Sequence, residues 1–315
     1  MKYTNDQLRE IYFGAYRFTE DEEGWLKAYQ YTAEQMEYLR GVADFFYERS
    51  DASTAKTLEF STAATQASFD YKIVWKGSED TFELYIDGLA TELVYVKDIA
   101  DEGRLSFTLP EGEKNVIIYL PADATVLIRN FEIDAPAAPA KKNEKVLWLG
   151  DSITQGFGPL RSGCTYVSAA NRLLNYDIVN QGIGGYVYDA KVLMPMPGYD
   201  PDKLIVALGT NQYGEPTMEN VEKYYERLVS LYPDKPILCV TPLWRYDNPE
   251  GVPTLKRFCE GIASVASRYE NVTVIDGFRL VPHLSEYFLD NLHPNCFGAE
   301  IYARNLVAEI ERVGF

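Results

Sequence analysis

The sequence predicts an α/β fold: a three-layer α/β/α domain around a five-stranded parallel sheet, preceded by an antiparallel, jelly-roll-like β-sandwich. Two changes of pattern predict it. From about Ala55 to Ile133 apolar residues alternate with polar ones, the period of a half-buried strand, and from Lys145 onward short apolar runs alternate with amphipathic stretches of helical period. Length agrees, since 315 residues exceed the usual size of one hydrophobic core.

Residues 1 to 50 are rich in Tyr and Phe, with a short helix expected around Ala33 to Leu39 as a lead-in. In the alternating region Phe82, Leu84 and Ile86 stand one residue apart from Glu83, Tyr85 and Asp87, and turn residues recur at Asp87-Gly88, Glu111-Gly112 and Pro121-Ala122. A sandwich domain is therefore expected over 1–135. The Ala/Pro and charge-rich run Asp134 to Glu144 reads as a linker, placed at 136–144. A catalytic domain is expected over 145–315, with strands at Val146 to Leu149, Ile178 to Asn180, Leu204 to Leu208, Ile237 to Thr241 and Val272 to Ile275. Helices are expected at Cys164 to Leu174, Met218 to Leu231, Thr254 to Tyr269 and Ala299 to Val313. Apolar strands separated by helices imply a parallel sheet covered on both faces, whose ligand crevice lies beyond the carboxyl ends of the strands.

Composition narrows the partners. Forty-seven acidic against 30 basic side chains give a formal charge of −17, which repels phosphate backbones and anionic lipid, so neither nucleic acid nor membrane is expected as a partner. No stretch approaches the roughly 18 apolar residues of a membrane span, the amino terminus lacks an apolar signal core, and a cytoplasmic location is expected. Cys164, Cys239, Cys259 and Cys296 lack metal-ligand spacing and read as reduced core thiols. With two histidines, His283 and His293, and no cysteine pair, neither a metal site nor any other cofactor is expected.

The chemistry concentrates in four loops. Val146 to Thr154 carries an apolar strand into Gly150-Asp151-Ser152, placing a serine at the end of a buried strand. Gly185 follows the second strand, Asn211 the third, and Asp290 and His293 precede the last helix, so all four loops open on one edge of the sheet. A serine needs a base, and a carboxylate-oriented histidine supplies one. These blocks, in order, resemble those of the SGNH or GDSL hydrolase family over residues 145 to 315, and the layout with an amino-terminal sandwich is similar to that of the family-two carbohydrate esterases.

The resemblance implies Ser152 as nucleophile, His293 as general base and Asp290 as its orienting carboxylate. It implies an oxyanion hole from the backbone N–H groups of Ser152 and Gly185 and the side-chain amide of Asn211. Gly184 adjoins Gly185, so the donor assignment is open by one residue. Gln212 stands where the family commonly has a second acidic residue. Trp244 and Arg245, after the fourth strand, are candidates for sugar contact or, equally, for core or rim packing, and His283 is expected in an exposed or structural role. Each residue also has a plainer explanation: Ser152 and Asp290 as helix caps, Asn211 and the glycines as turn formers. The expected activity is removal of short acyl groups, foremost O-acetyl, from a small acylated substrate such as an oligosaccharide. The alternatives are a lipid or thioester acylhydrolase and a non-catalytic carbohydrate-binding protein.

Overall fold

A computed structural model describes residues 1–78, 80–214 and 218–315. The alternating region forms two antiparallel sheets. One is ordered β1 (Tyr12–Phe13), β4 (Thr57–Thr62), β9 (Lys114–Tyr119), β6 (Thr81–Ile86), β7 (Leu89–Tyr95). The other is ordered β2 (Arg17–Glu20), β3 (Leu26–Tyr29), β10 (Ala124–Ile133), β5 (Gln66–Lys76), β8 (Glu102–Thr108). Every second residue of β5, from Ala67 through Phe69 and Tyr71 to Ile73, points into a shared core with Phe60, Phe82 and Phe131. The turn between β6 and β7 needs two consecutive residues of positive φ, and Asp87 at 47° and Gly88 at 83° supply them.

The first fifty residues do more than lead in. Strand β1 pairs with β4, and the β2–β3 hairpin pairs with β10, extending both sheets. Helix α1 (Asn5–Glu10) and helix α2 (Ala33–Val42) each start in a capping box, from Thr4 with Gln7 and from Thr32 with Gln35. Helix α3 (Asp44–Ser50) follows directly. Tyr31, Met36 and Leu39 are buried not in the sandwich core but in that of the parallel sheet. The segment expected as a linker carries a short strand: within it β11 (Ala137–Pro139) pairs with β4, ending in a proline on the sheet edge, where its missing N–H costs nothing. Lys142 then pairs with Glu59, and Asn143 N–H donates to Asn175 O at 3.0 Å, so this segment is fixed at both ends.

The expected parallel sheet is present, ordered β13 (Asp177–Gly182), β12 (Lys145–Gly150), β14 (Lys203–Ala207), β15 (Ile237–Val240), β16 (Val272–Ile275). One turn of helix, α4 (Ser152–Gln155), leaves β12. On one face Val146 and Trp148 pack with Tyr166 of α5 (Tyr166–Leu174) and Tyr302 of α8 (Cys296–Val313). On the other, Leu147 and Leu149 pack with Tyr224 of α6 (Glu219–Leu231) and Phe258 of α7 (Val252–Ala266). The two faces make three layers. Strand order reverses at β12, whose neighbours lead outward in opposite directions, and a crevice opens at such a point beyond the carboxyl ends.

Candidate active site

Strand β12 is buried on both faces and ends where the order reverses, so the residues after Gly150 are delivered to that crevice. The Asp151 carboxylate caps α4, accepting from Ile153 N–H at 3.1 Å. Burial pushes its pKa up to about 7, against the opposing Ile153 N–H, the Arg245 charge and the Thr210 N–H. Asp151 therefore does the capping, and the Ser152 hydroxyl is left for other use. Ser152 Oγ lies 2.8 Å from His293 Nε2, and His293 Nδ1 lies 2.8 Å from Asp290 Oδ2.

The Asp290 carboxylate is divided between two tasks. Oδ1 accepts the N–H groups of Leu292 at 3.1 Å and His293 at 2.8 Å, which shapes the turn, and Oδ2 holds the imidazole. Burial raises its pKa, but these bonds to His293 and Leu292 outweigh it and hold the carboxyl below its ordinary range. An ionised carboxylate only accepts, so Nδ1 carries the proton of a neutral imidazole and Nε2 presents its lone pair to the Ser152 O–H. Capping of α8 falls to Asn295, which accepts from Phe297 and Gly298. The imidazole is further held edge-on by Phe157, ring centroids 4.7 Å apart. Gly158, at φ 123°, lets this loop close in: a Cβ there would stand 2.4 Å from Pro294 O.

The glycine loop after β13 settles which N–H is available. Gly184 N–H donates to Gln155 Oε1 at 2.6 Å, whereas the N–H groups of Gly185 and Ser152 meet no acceptor among the described residues. Asn211 Nδ2 donates to Tyr186 O at 2.9 Å with one of its two hydrogens, leaving the other. Gln212 fills the place of the second acidic residue as an acceptor, its Oε1 taking Tyr188 N–H at 2.7 Å. The loops after β12, β13 and β14 are thus tied to one another around Ser152.

The structure gives Arg245 a supporting place in the loops. The side chain is buried, and its donors go to Thr210 O at 2.7 Å and to Asp247 at 2.6 and 2.5 Å, supporting the loop that carries Asn211. Trp244 is half-buried, stacked with Tyr246 and with His283 at centroid distances of 5.7 and 5.1 Å. His283 is exposed, and its Nε2 lies 2.8 Å from Phe278 O, away from Ser152. Three residues escaped sequence reasoning: Gln155, which bridges Gly184 to Asp123 Oδ1 at 2.8 Å, and Phe45 and Arg49 of α3, which stand against Gly185 and Gly184. Gln155 lies one helical turn after Ser152 and had a local signal; the other two had none. Among the described residues no three or more His, Cys, Asp or Glu gather as metal ligands. A cavity of 680 Å³ between β4, β9 and α5 includes none of these residues.

Residues 148–301 match the family model described as GDSL-like Lipase/Acylhydrolase. No curated protein matches the chain by sequence. Among solved structures, the salicylyl-acyltransferase of a tetracycline biosynthetic pathway is similar at 19% identity, covering 96% of this chain and 94% of that one, with a TM-score of 0.75. A family two carbohydrate esterase from Clostridium thermocellum, in complex with cellohexaose, is 19% identical over 84% of this chain and 94% of its own, with a TM-score of 0.65. Another from Cellvibrio japonicus is 15% identical over 99% and 97%, with a TM-score of 0.66. The family match begins in the strand that delivers Ser152 and ends in the helix that follows His293, so the likeness to the GDSL-like lipase/acylhydrolase family spans the part of the chain that carries Ser152, Gly185, Asn211, Asp290 and His293.

Proposed function

We propose that this protein is a serine esterase that removes O-acetyl and other short acyl groups from carbohydrate. The observation that carries the proposal is the unbroken hydrogen-bonded chain from Ser152 Oγ through the His293 ring to the Asp290 carboxylate. In the proposed route His293 Nε2 removes the serine proton as Oγ attacks the ester carbonyl. Negative charge then develops on the carbonyl oxygen, and Ser152 N–H, Gly185 N–H and the spare Asn211 N–H are the donors for it. His293 returns the proton to the departing sugar alcohol. Water, activated by the same imidazole, hydrolyses the acyl-serine.

Support for a carbohydrate substrate is architectural, from the likeness to family two carbohydrate esterases along most of the chain. The likeness to an acyltransferase favours a second outcome on the same acyl-enzyme, in which an alcohol rather than water takes the acyl group. The test is acetate release from acetylated manno-, xylo- and gluco-oligosaccharides, with long-chain nitrophenyl esters and alcohol acceptors run in parallel. Acetate should be released, and Ser152→Ala should lose roughly 10⁴- to 10⁶-fold in kcat with the fold intact. A preference for octanoyl and longer esters, or undiminished turnover in the serine variant, would overturn the proposal.

A further inference from the structure

Helix α3 carries chemistry from the amino-terminal third into the crevice. A Cβ built on Gly184 would lie 2.7 Å from Arg49 Nε, and one on Gly185 would lie 3.4 Å from Phe45 Cε1. The Arg49 guanidinium sits over the Phe45 ring, 3.7 Å from its centroid. Phe46 packs edge-on against Tyr186, whose carbonyl holds the Asn211 amide. Arg49 therefore stands beside the loop that offers the Gly185 N–H.

Other arginines near the junction are each hydrogen-bonded to protein groups. Arg245 bonds Thr210 and Asp247, Arg161 bonds Glu83, and Arg172 bonds Gly163 O and Tyr119. The half-buried Arg49 guanidinium makes no hydrogen bond or ion pair with any described residue. Burial lowers its pKa more than the through-space charges of Asp123 and Glu48 raise it. The guanidinium is half-buried and still open to solvent, so its N–H groups are free to take an anion that reaches the crevice, and partial burial strengthens that contact. The planar fork of N–H groups, fixed against an aromatic ring, matches a carboxylate or phosphate.

Resting on the esterase function above, we propose that Arg49, propped on Phe45, is an anion subsite, and that the preferred substrates are acyl esters of acidic sugars bearing a carboxylate or phosphate near the acylated hydroxyl. The overall charge of −17 opposes this only at long range. Screening over about 8 Å at physiological salt leaves the neighbouring cation in control.

The test compares kcat/KM of the full chain for three soluble acetates: a neutral methyl glycoside, a methyl galacturonide and a sugar phosphate. The parent should favour an anionic substrate over the neutral one, and which anion gains more identifies carboxylate or phosphate as the group recognised. Arg49→Gln should cut the anionic-to-neutral ratio by about ten- to a hundredfold, chiefly through KM, because a hydrogen-bonded charge contact is lost. Arg49→Lys, retaining charge without the fork, should recover part of it. A parent that hydrolyses the neutral ester without favouring either anion, or an Arg49→Gln variant that lowers all three substrates equally, would overturn the subsite while leaving the esterase standing. A parent inert toward all three would sink both.

Discussion

The two sides of Ser152 are held in place by different means. On the side of the proposed base, His293 and Asp290 ride on a short turn, the carboxylate side chain being 44% exposed and the imidazole 12%. On the side of the proposed oxyanion donors, Gln155, Asp123, Asp80 and Ser162 are all buried and form a continuous path from the glycine loop into the antiparallel sheets: Gly184 N–H to Gln155, Gln155 to Asp123, Asp123 N–H to Asp80, and Ser162 to Asp80. A solvated turn rests on a few local bonds, so its geometry depends on one carboxylate. A buried network shares its load, so losing one member should cost stability along with activity.

The sharpest test of this contrast is Asp290→Asn. The amide oxygen can keep the Leu292 and His293 N–H bonds, so the turn should survive, but its NH₂ would face His293 Nδ1 and force the proton onto Nε2. The base then has no lone pair for Ser152, and kcat should fall by roughly 10² to 10⁴ with little change in Tm. Stability should change with pH in a defined direction. Because the folded carboxyl is held below its ordinary range, its contribution is complete above about pH 4 and disappears as pH falls through the folded value. The parent should therefore hold only a small excess of unfolding free energy over the variant at neutral pH, and the two should converge in acid. A large loss of Tm in the variant would show that the turn depends on more than local bonds.

Asn211→Ala probes the opposite side. Removing an oxyanion donor costs about 10²- to 10³-fold in kcat, with KM for a neutral acetyl ester nearly unchanged, since the donor acts on charge that develops during reaction. The same change also frees Tyr186 O, which is bonded by the Asn211 amide. If KM rises in step with the loss of kcat, the amide acts by shaping the loop, and the free second hydrogen has no catalytic part.

The base side was more legible in sequence than the oxyanion side, and for the same physical reason that separates them. Asp290 and His293 act within one turn, and Ser152 follows its strand directly, so short contiguous segments show the chemistry. The five parallel strands were visible because a strand buried on both faces reads as an unbroken apolar run. Strands β1, β2 and β3 were not, since two to four residues are too few to display a period of two. Arg49, Asp123 and Asp80 reach the site only through tertiary packing, and no local pattern marks a polar residue whose partner lies in another layer. Arg245 shows the same limit: its position after a strand implied the crevice, and no sign in the sequence showed that its donors go to Asp247 and Thr210 O.

The smallest expected effect on activity is the one that tests whether the two halves of the molecule are coupled. Gln155→Leu keeps the approximate volume but removes the acceptor for Gly184 N–H and the donor to Asp123 Oδ1. Two buried groups lose their partner, which costs about 1–3 kcal/mol for each left unsatisfied, and kcat should drop by about tenfold as the glycine loop loosens. Burial already raises the Asp123 pKa, with Ser78, Arg49 and Gln155 opposing, so removing one opponent raises it further. A folded-state carboxyl raised above its unfolded value binds protons that the unfolded chain has released, so stability falls as pH rises between the two values. The deficit of the variant should therefore be larger at pH 8 than at pH 5 in denaturant melts. A variant that loses stability with this pH dependence yet retains full kcat would mean that the buried path braces the junction between sheets without positioning the Gly185 donor, and the contrast between the two sides of Ser152 would be one of stability alone.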